Sequence, residues 1–136
     1  MNGTIRIMGS HDHGDGTPEI IKETAYALLE INEDKYVISY ETTNEGNKIS
    51  HIIEIDGTNF TMIQEGAVNS TLVFGPGKVY NTDYHTPYGI MKMSVITRNI
   101  MAELGSKKIT AHVQYELLMD GSKVSDSKVR ISYIPD

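Results

Sequence analysis

Along most of the chain, apolar and polar residues exchange places at every step, a period of two that marks half-buried strands. From Lys107 to Asp120 one face reads Ile109, Ala111, Val113, Tyr115, Leu117 and Met119. The other reads Thr110, His112, Gln114, Glu116, Leu118 and Asp120, with Leu118 breaking the pattern. Asp120-Gly121-Ser122 supplies a turn, and Val129, Ile131 and Tyr133 then alternate with Lys128, Arg130 and Ser132. Together these predict a C-terminal hairpin.

The middle of the chain repeats the pattern. Tyr36, Ile38 and Tyr40 alternate with Val37, Ser39 and Glu41; Ile49, Ile53 and Ile55 alternate with Ser50 and Glu54. Asp56-Gly57 makes a turn before Phe60 and Met62, and Gly66 predicts a bulge or bend. Val68, Leu72 and Phe74 share a face that Gly75-Pro76-Gly77 ends. Tyr80, Thr82, Tyr84 and Thr86 share the next. Beyond Pro87-Tyr88-Gly89, Met91, Met93, Val95 and Thr97 oppose Lys92, Ser94 and Arg98.

Residues 18–31 fit two templates. Thr17-Pro18-Glu19 resembles a helix start, and Ile20, Thr24 and Leu28 fall at helical spacing. As a strand, Ile21, Ala25, Ala27, Leu29 and Ile31 share a face that turns at Glu33-Asp34 into the Tyr36 strand. The neighbours are strands at about 8–12-residue spacing, so strand is favoured. A chain of about ten short strands removes its exposed edges by closing into a barrel.

Composition narrows the function classes. The 136 residues carry 12 Lys+Arg against 18 Asp+Glu, a formal net charge of -6. Such a charge repels phosphate backbones, and the basic residues are scattered, so no nucleic-acid partner is expected. With no Cys, disulfide frameworks, thiolate zinc sites and Cys nucleophiles are excluded. No run approaches the roughly 18 apolar residues of a membrane span, and no apolar signal region opens the chain. A cytoplasmic protein is expected, without membrane association.

The run Gly66-Ala67-Val68-Asn69-Ser70-Thr71-Leu72-Val73-Phe74-Gly75-Pro76-Gly77 is followed by Tyr84-His85-Thr86-Pro87-Tyr88-Gly89. Met91 to Thr97 and the closing strand pair come next, and Lys35 to Glu41 lies upstream. In this order the segments resemble the YwiB-like family, small bacterial calycin-like β-barrels of unknown function. The resemblance implies a lipocalin-like barrel, makes residues 18–31 a strand and carries over no catalytic or ligand residue. Before the bend at Gly66 it implies a basic residue, where this chain has Gln64-Glu65. Pattern and resemblance together predict an all-β fold. Residues 1–136 form one antiparallel up-and-down barrel of about 8–10 strands, lipocalin/calycin-like. A barrel of about eight strands is either filled by side chains or holds one small ligand.

Candidate sites each have a plainer reading. His11-Asp12-His13-Gly14-Asp15-Gly16 carries metal-ligating types, but its spacing departs from an EF-hand and an ordinary polar loop is the favoured reading. No metal or other cofactor is therefore assigned. Met91, Met93 and Thr97 line a cavity or fill a core; Tyr80, Tyr84, Tyr115 and Tyr133 form a mixed pocket lining or pack at the barrel ends. His51, among Ile49, Ile53 and Ile55, reads as a satisfied core histidine. The weaker alternative, by analogy with calycin-like haem binders, is an axial ligand. No Gly-x-Ser-x-Gly elbow, His-Glu-x-x-His helix or phosphate-binding Gly loop is present.

The expected function is binding of a small, largely apolar molecule inside the barrel, by a monomer or homodimer. The alternative is a filled barrel serving as an interaction or homodimeric structural module, with no pocket above roughly 300 Å³. An enzyme would need an interior His or carboxylate with a perturbed pKa beside a cavity.

Overall fold

In the computed structural model, residues 1–66 and 69–136 are described, with the side chain of Thr86 excepted. The expectations for Val68 and for the Thr86 side chain lie outside the described residues. The strands are β1 (Asn2–Asp12), β2 (Glu19–Asn32), β3 (Lys35–Asn44), β4 (Asn47–Asp56) and β5 (Asn59–Gly66). They continue as β6 (Ser70–Phe74), β7 (Val79–Thr86), β8 (Gly89–Leu104), β9 (Ile109–Met119) and β10 (Ser122–Pro135).

All ten lie in one antiparallel sheet, in the order β6-β5-β4-β3-β2-β1-β10-β9-β8-β7. Each strand thus pairs with its chain neighbour, and the first pairs with the last. The remaining seam falls between β6 and β7, where, among the described residues, a bridge joins Asn69 and His85. Next to it, the Thr97 N–H donates to Lys78 O at 3.0 Å and the Gly75 N–H donates to Thr97 Oγ1 at 3.3 Å. The result is a nearly closed up-and-down barrel, and the described residues contain no helix.

Residues 18–31 are strand from Glu19 onward. The helix-start signal loses because β1 offers β2 a ten-residue register, from Asn2↔Leu28 to His11↔Glu19. That pairing buries Ala27 and Leu29, as alternation requires. β1 itself is weakly marked in the sequence, because its inward positions include Gly3 and Gly9 beside Ile5 and Ile7.

Two irregularities set side-chain direction. Between β8 and β9 the register shifts at Thr97/Asn99, so the inward face passes from Met93, Val95 and Thr97 to half-buried Ile100 and Ala102. Gly66 ends β5 opposite Ile49 with φ +134°, a bend rather than a bulge within the strand. The core centres on side chains with almost no solvent contact, among them Ile38, Ile55, Phe60, Phe74 and Tyr133.

Candidate functional site

A strand divergence positions the candidate site. The β2–β3 ladder runs from Asn32↔Lys35 only as far as Ala27↔Tyr40. Beyond that point β2 follows β1 back to Glu19, while β3 follows β4 on to Asn44. The two strands part, and the inward side chains beside the gap include Glu23 and Tyr40.

Behind the gap lies a cavity of about 200 Å³ within the barrel. Its apolar wall includes Ile7, Ile53, Met62, Leu72 and Val129, and its polar groups include Glu23, Tyr40, His51, His11, Gln64 and Tyr115. This mixture of an apolar wall with a few convergent polar groups is that of a small-molecule site. The volume corresponds to about seven water molecules at ~30 Å³ each. It lies below the roughly 300 Å³ that drug-sized ligands require, so the rest of the interior is filled.

Tyr40 and His51 are direct cross-strand partners on β3 and β4, and their rings stack with centroids 4.5 Å apart. His51 is 7% exposed, and its Nε2 hydrogen-bonds with Thr42 Oγ1 at 2.7 Å. It is therefore a satisfied interior histidine. With Nε2 engaged and a cavity far smaller than a porphyrin, the site does not fit a haem. Burial pushes the His51 pKa below 6.5, with Glu23 opposing. Burial also pushes the Tyr40 phenol well up, and the Glu23 carboxylate adds to that rise through charge and hydrogen bonding. Both rings are thus held in their neutral forms at neutral pH, as hydrogen-bonding groups rather than charges.

A second polar group closes the opposite wall. His11 Nδ1 hydrogen-bonds with Ser127 Oγ at 2.7 Å, and Ser127 Oγ with Ser125 Oγ at 2.9 Å. Tyr115 also hydrogen-bonds to Ser127, while burial holds its phenol up. Burial lowers the His11 pKa, against Glu19 and together with His13. Tyr115 packs on Phe74 at 4.9 Å, which joins this wall to the β6 side of the seam.

Of the residues singled out from the sequence, Tyr115, His51 and His11 line this cavity; of the interior ligand candidates Tyr80, Tyr84, Met91, Met93, Thr97, Tyr115 and Tyr133, only Tyr115 does. Met93, Thr97 and Tyr133 are buried and inward, Tyr133 within the core, and none of the three lines this cavity. The Tyr133 hydroxyl donates to Met1 O at 2.8 Å, away from the cavity wall. Tyr80 and Tyr84 are half-buried on β7. Met91 departs from the inward face expected for it and is 37% exposed. The reason is that β9 pairs with β8 only from Met93 onward, so Met91 sits on the part of β8 that projects beyond the barrel with β7.

Glu23 and Tyr40 went unmarked in the sequence. The available signal was Glu23 itself, a carboxylate at the inward parity of Ile21, Ala25, Ala27 and Leu29. Within the His11–Gly16 segment, His11 belongs to the cavity wall while Asp12 and Asp15 serve local turns. Asp12 accepts from the Gly14 N–H and Asp15 from the Thr17 N–H, while His13 lies 3.3 Å from Glu19 Oε2. Among the described residues no cluster of three or more His, Asp or Glu is arranged to hold a metal. No helix among them is long and apolar enough to cross a membrane.

Comparison with known proteins matches this architecture. The crystal structure of the ywiB protein from Bacillus subtilis superposes with a TM-score of 0.87 at 18% identity, covering 99% of this chain and 92% of that one. The uncharacterized beta-barrel protein YwiB of Bacillus subtilis (strain 168) is 19% identical over 119 residues, 88% of this chain and 84% of its own. A model of a domain of unknown function, DUF1934, matches residues 5–131. The chain therefore belongs to the DUF1934 family, a domain of unknown function.

Proposed function

We propose that this chain is a non-enzymatic binding barrel of calycin-like type that holds one small, largely apolar molecule. The observation that carries this reading is the cavity of about 200 Å³ behind the β2–β3 divergence, with apolar walls and polar groups gathered at Glu23, Tyr40 and His51. The divergence gives a route in, and the core packing elsewhere limits the occupant to a compact molecule. His51 meets the condition of an interior titratable group beside a cavity. Its ring is committed to Thr42 and Tyr40, however, which suits positioning better than proton transfer.

A second reading is favoured by the cavity volume, which at about 200 Å³ stays below the roughly 300 Å³ expected of a ligand-holding barrel, and by the outer surface. On β2, Ile20 (61% exposed) and Tyr26 (87%) face solvent together with Leu28, and Met8 and Ile134 lie on the adjoining strands. Such an apolar face fits a homodimeric or interaction module with a filled barrel.

Native mass spectrometry on protein purified gently from its own host separates the two. The binding reading expects a small added mass on the folded protein that disappears on denaturation. A bare chain mass, in a species of two chains, overturns it in favour of the interaction module.

A further inference from the structure

We infer that the molecule held in this cavity is a small organic cation, a protonated amine on a compact apolar body, with Glu23 as its counter-ion. The inference rests on the cavity being a ligand site and adds the chemical class of the ligand.

Glu23 is, apart from the two histidines, the one ionisable acid or base among the wall residues besides the Tyr phenols. Glu23 is half-buried at the edge of the gap, and its carboxylate has the Tyr40 hydroxyl as a hydrogen-bond partner but no counter-charge. Among the described residues the ion pairs are Lys35–Glu54, Arg98–Glu116, Lys123–Glu116, Lys123–Asp126 and His13–Glu19. None reaches Glu23. The neighbouring rings of His51 and His11 are held toward neutrality by burial, so they do not supply the missing positive charge.

An occupant with an ammonium group completes this arrangement. It pairs with Glu23 through a charge-assisted hydrogen bond. The aromatic rings of Tyr40 and Tyr115 in the same wall add favourable faces for a cation. The apolar body of the ligand then contacts Ile7, Ile53, Met62 and Leu72. A carboxylate ligand would instead face Glu23 with like charge. A neutral ligand would leave Glu23 with Tyr40 as its hydrogen-bond partner and no counter-charge. The net charge of -6 also favours the approach of cations over anions.

The test uses three probes of one shape: n-hexylamine, 1-hexanol and hexanoate. Binding to the full chain is measured by calorimetry, and the site is located from amide shifts of cavity residues. The expected result is that hexylamine binds about tenfold or more tighter than hexanol, and that hexanoate does not bind. In E23Q the amine's advantage should fall to about twofold or less, while hexanol binding persists and reports an intact cavity. Hexanol equal to hexylamine in the unaltered protein would keep the ligand site and overturn the cation. Hexanoate binding tightest would do the same. Shifts confined to residues outside the cavity, or no binding by any probe, would overturn the ligand site as well. Because the ranking in the unaltered protein decides, the inference stays testable even if E23Q fails to fold.

Discussion

The rings of Tyr40 and His51 lie face to face across the β3–β4 ladder, with planes within 4° of parallel. Cross-strand aromatic pairs of this kind fix two strands against each other. Here the pair sits where β2 leaves β3, so it substitutes for packing that a continuous ladder would supply.

Removing that ring should be costly. H51A loses the stack and the Thr42 hydrogen bond, and is expected to lower unfolding free energy by about 1–3 kcal/mol. H112A, on the outward face of β9, should stay within about 0.5 kcal/mol. Urea unfolding of both variants checks the contrast, and equal losses would contradict the role given to His51.

Acid should weaken the fold before the carboxylates titrate. Burial lowers the pKa of His51 and of His11 below 6.5. Below about 6.5 the unfolded chain therefore binds more protons than the folded one. Their contribution is complete above that value and is lost as pH falls through the lowered native values. The urea midpoint should fall from pH 7.5 to pH 5, and fall less in H51Q. A midpoint that holds steady or rises over this range would refute the assignment.

The barrel seam depends on Thr97. In T97V the Gly75 N–H, buried and hydrogen-bonded to Thr97 Oγ1, loses its acceptor. The expected cost is about 1–3 kcal/mol, the penalty of an unsatisfied buried donor. Hydrogen exchange at the Gly75 amide should quicken while exchange in β1 and β10 keeps its order. Unchanged exchange at Gly75 would mean that the seam closes without this bond.

Gly3 leaves room for Tyr133. A Cβ at position 3 would fall 2.6 Å from the Tyr133 ring and 2.5 Å from Ile134 O. G3A should destabilise by about 1–3 kcal/mol through overpacking. Adding Y133A to G3A should cost less than the sum of the two single changes, since the ring clash is then absent. Strict additivity would place the strain on the backbone contact alone.

Gly66 carries a backbone requirement. Its φ of +134° is one that side chains rarely adopt, and a Cβ there would lie 2.5 Å from Lys48 O. G66A is expected to lose about 1–3 kcal/mol. Thermal unfolding tests this, and an unaltered midpoint would show that the bend relaxes to a conformation open to alanine.

The strands were legible because alternation is a local property. The faces of Ile109 to Met119 and of Val129 to Tyr133 could be read directly, as could the turns at Asp56-Gly57 and Asp120-Gly121. Residues 18–31 were legible only through their neighbours, since the Thr17-Pro18-Glu19 signal competes locally with strand. A satisfied His51 was also within reach, because three isoleucines share its face.

The site was less legible. Parity places a residue inward but does not say how far along the barrel it sits or what it meets. Met93 and Thr97 are buried as alternation requires, yet neither lines this cavity. Tyr115 has the same parity and reaches a cavity. Glu23, Tyr40 and His51 come together because one ladder ends at Ala27↔Tyr40 while its neighbours continue. The sequence by itself determined that the chain alternates and turns, since each of those follows from the chemistry of a few adjacent residues. The tertiary structure decided where two strands part and which carboxylate faces the space between them. That outcome depends on register and competing pairings across the whole sheet, which no short stretch of residues encodes.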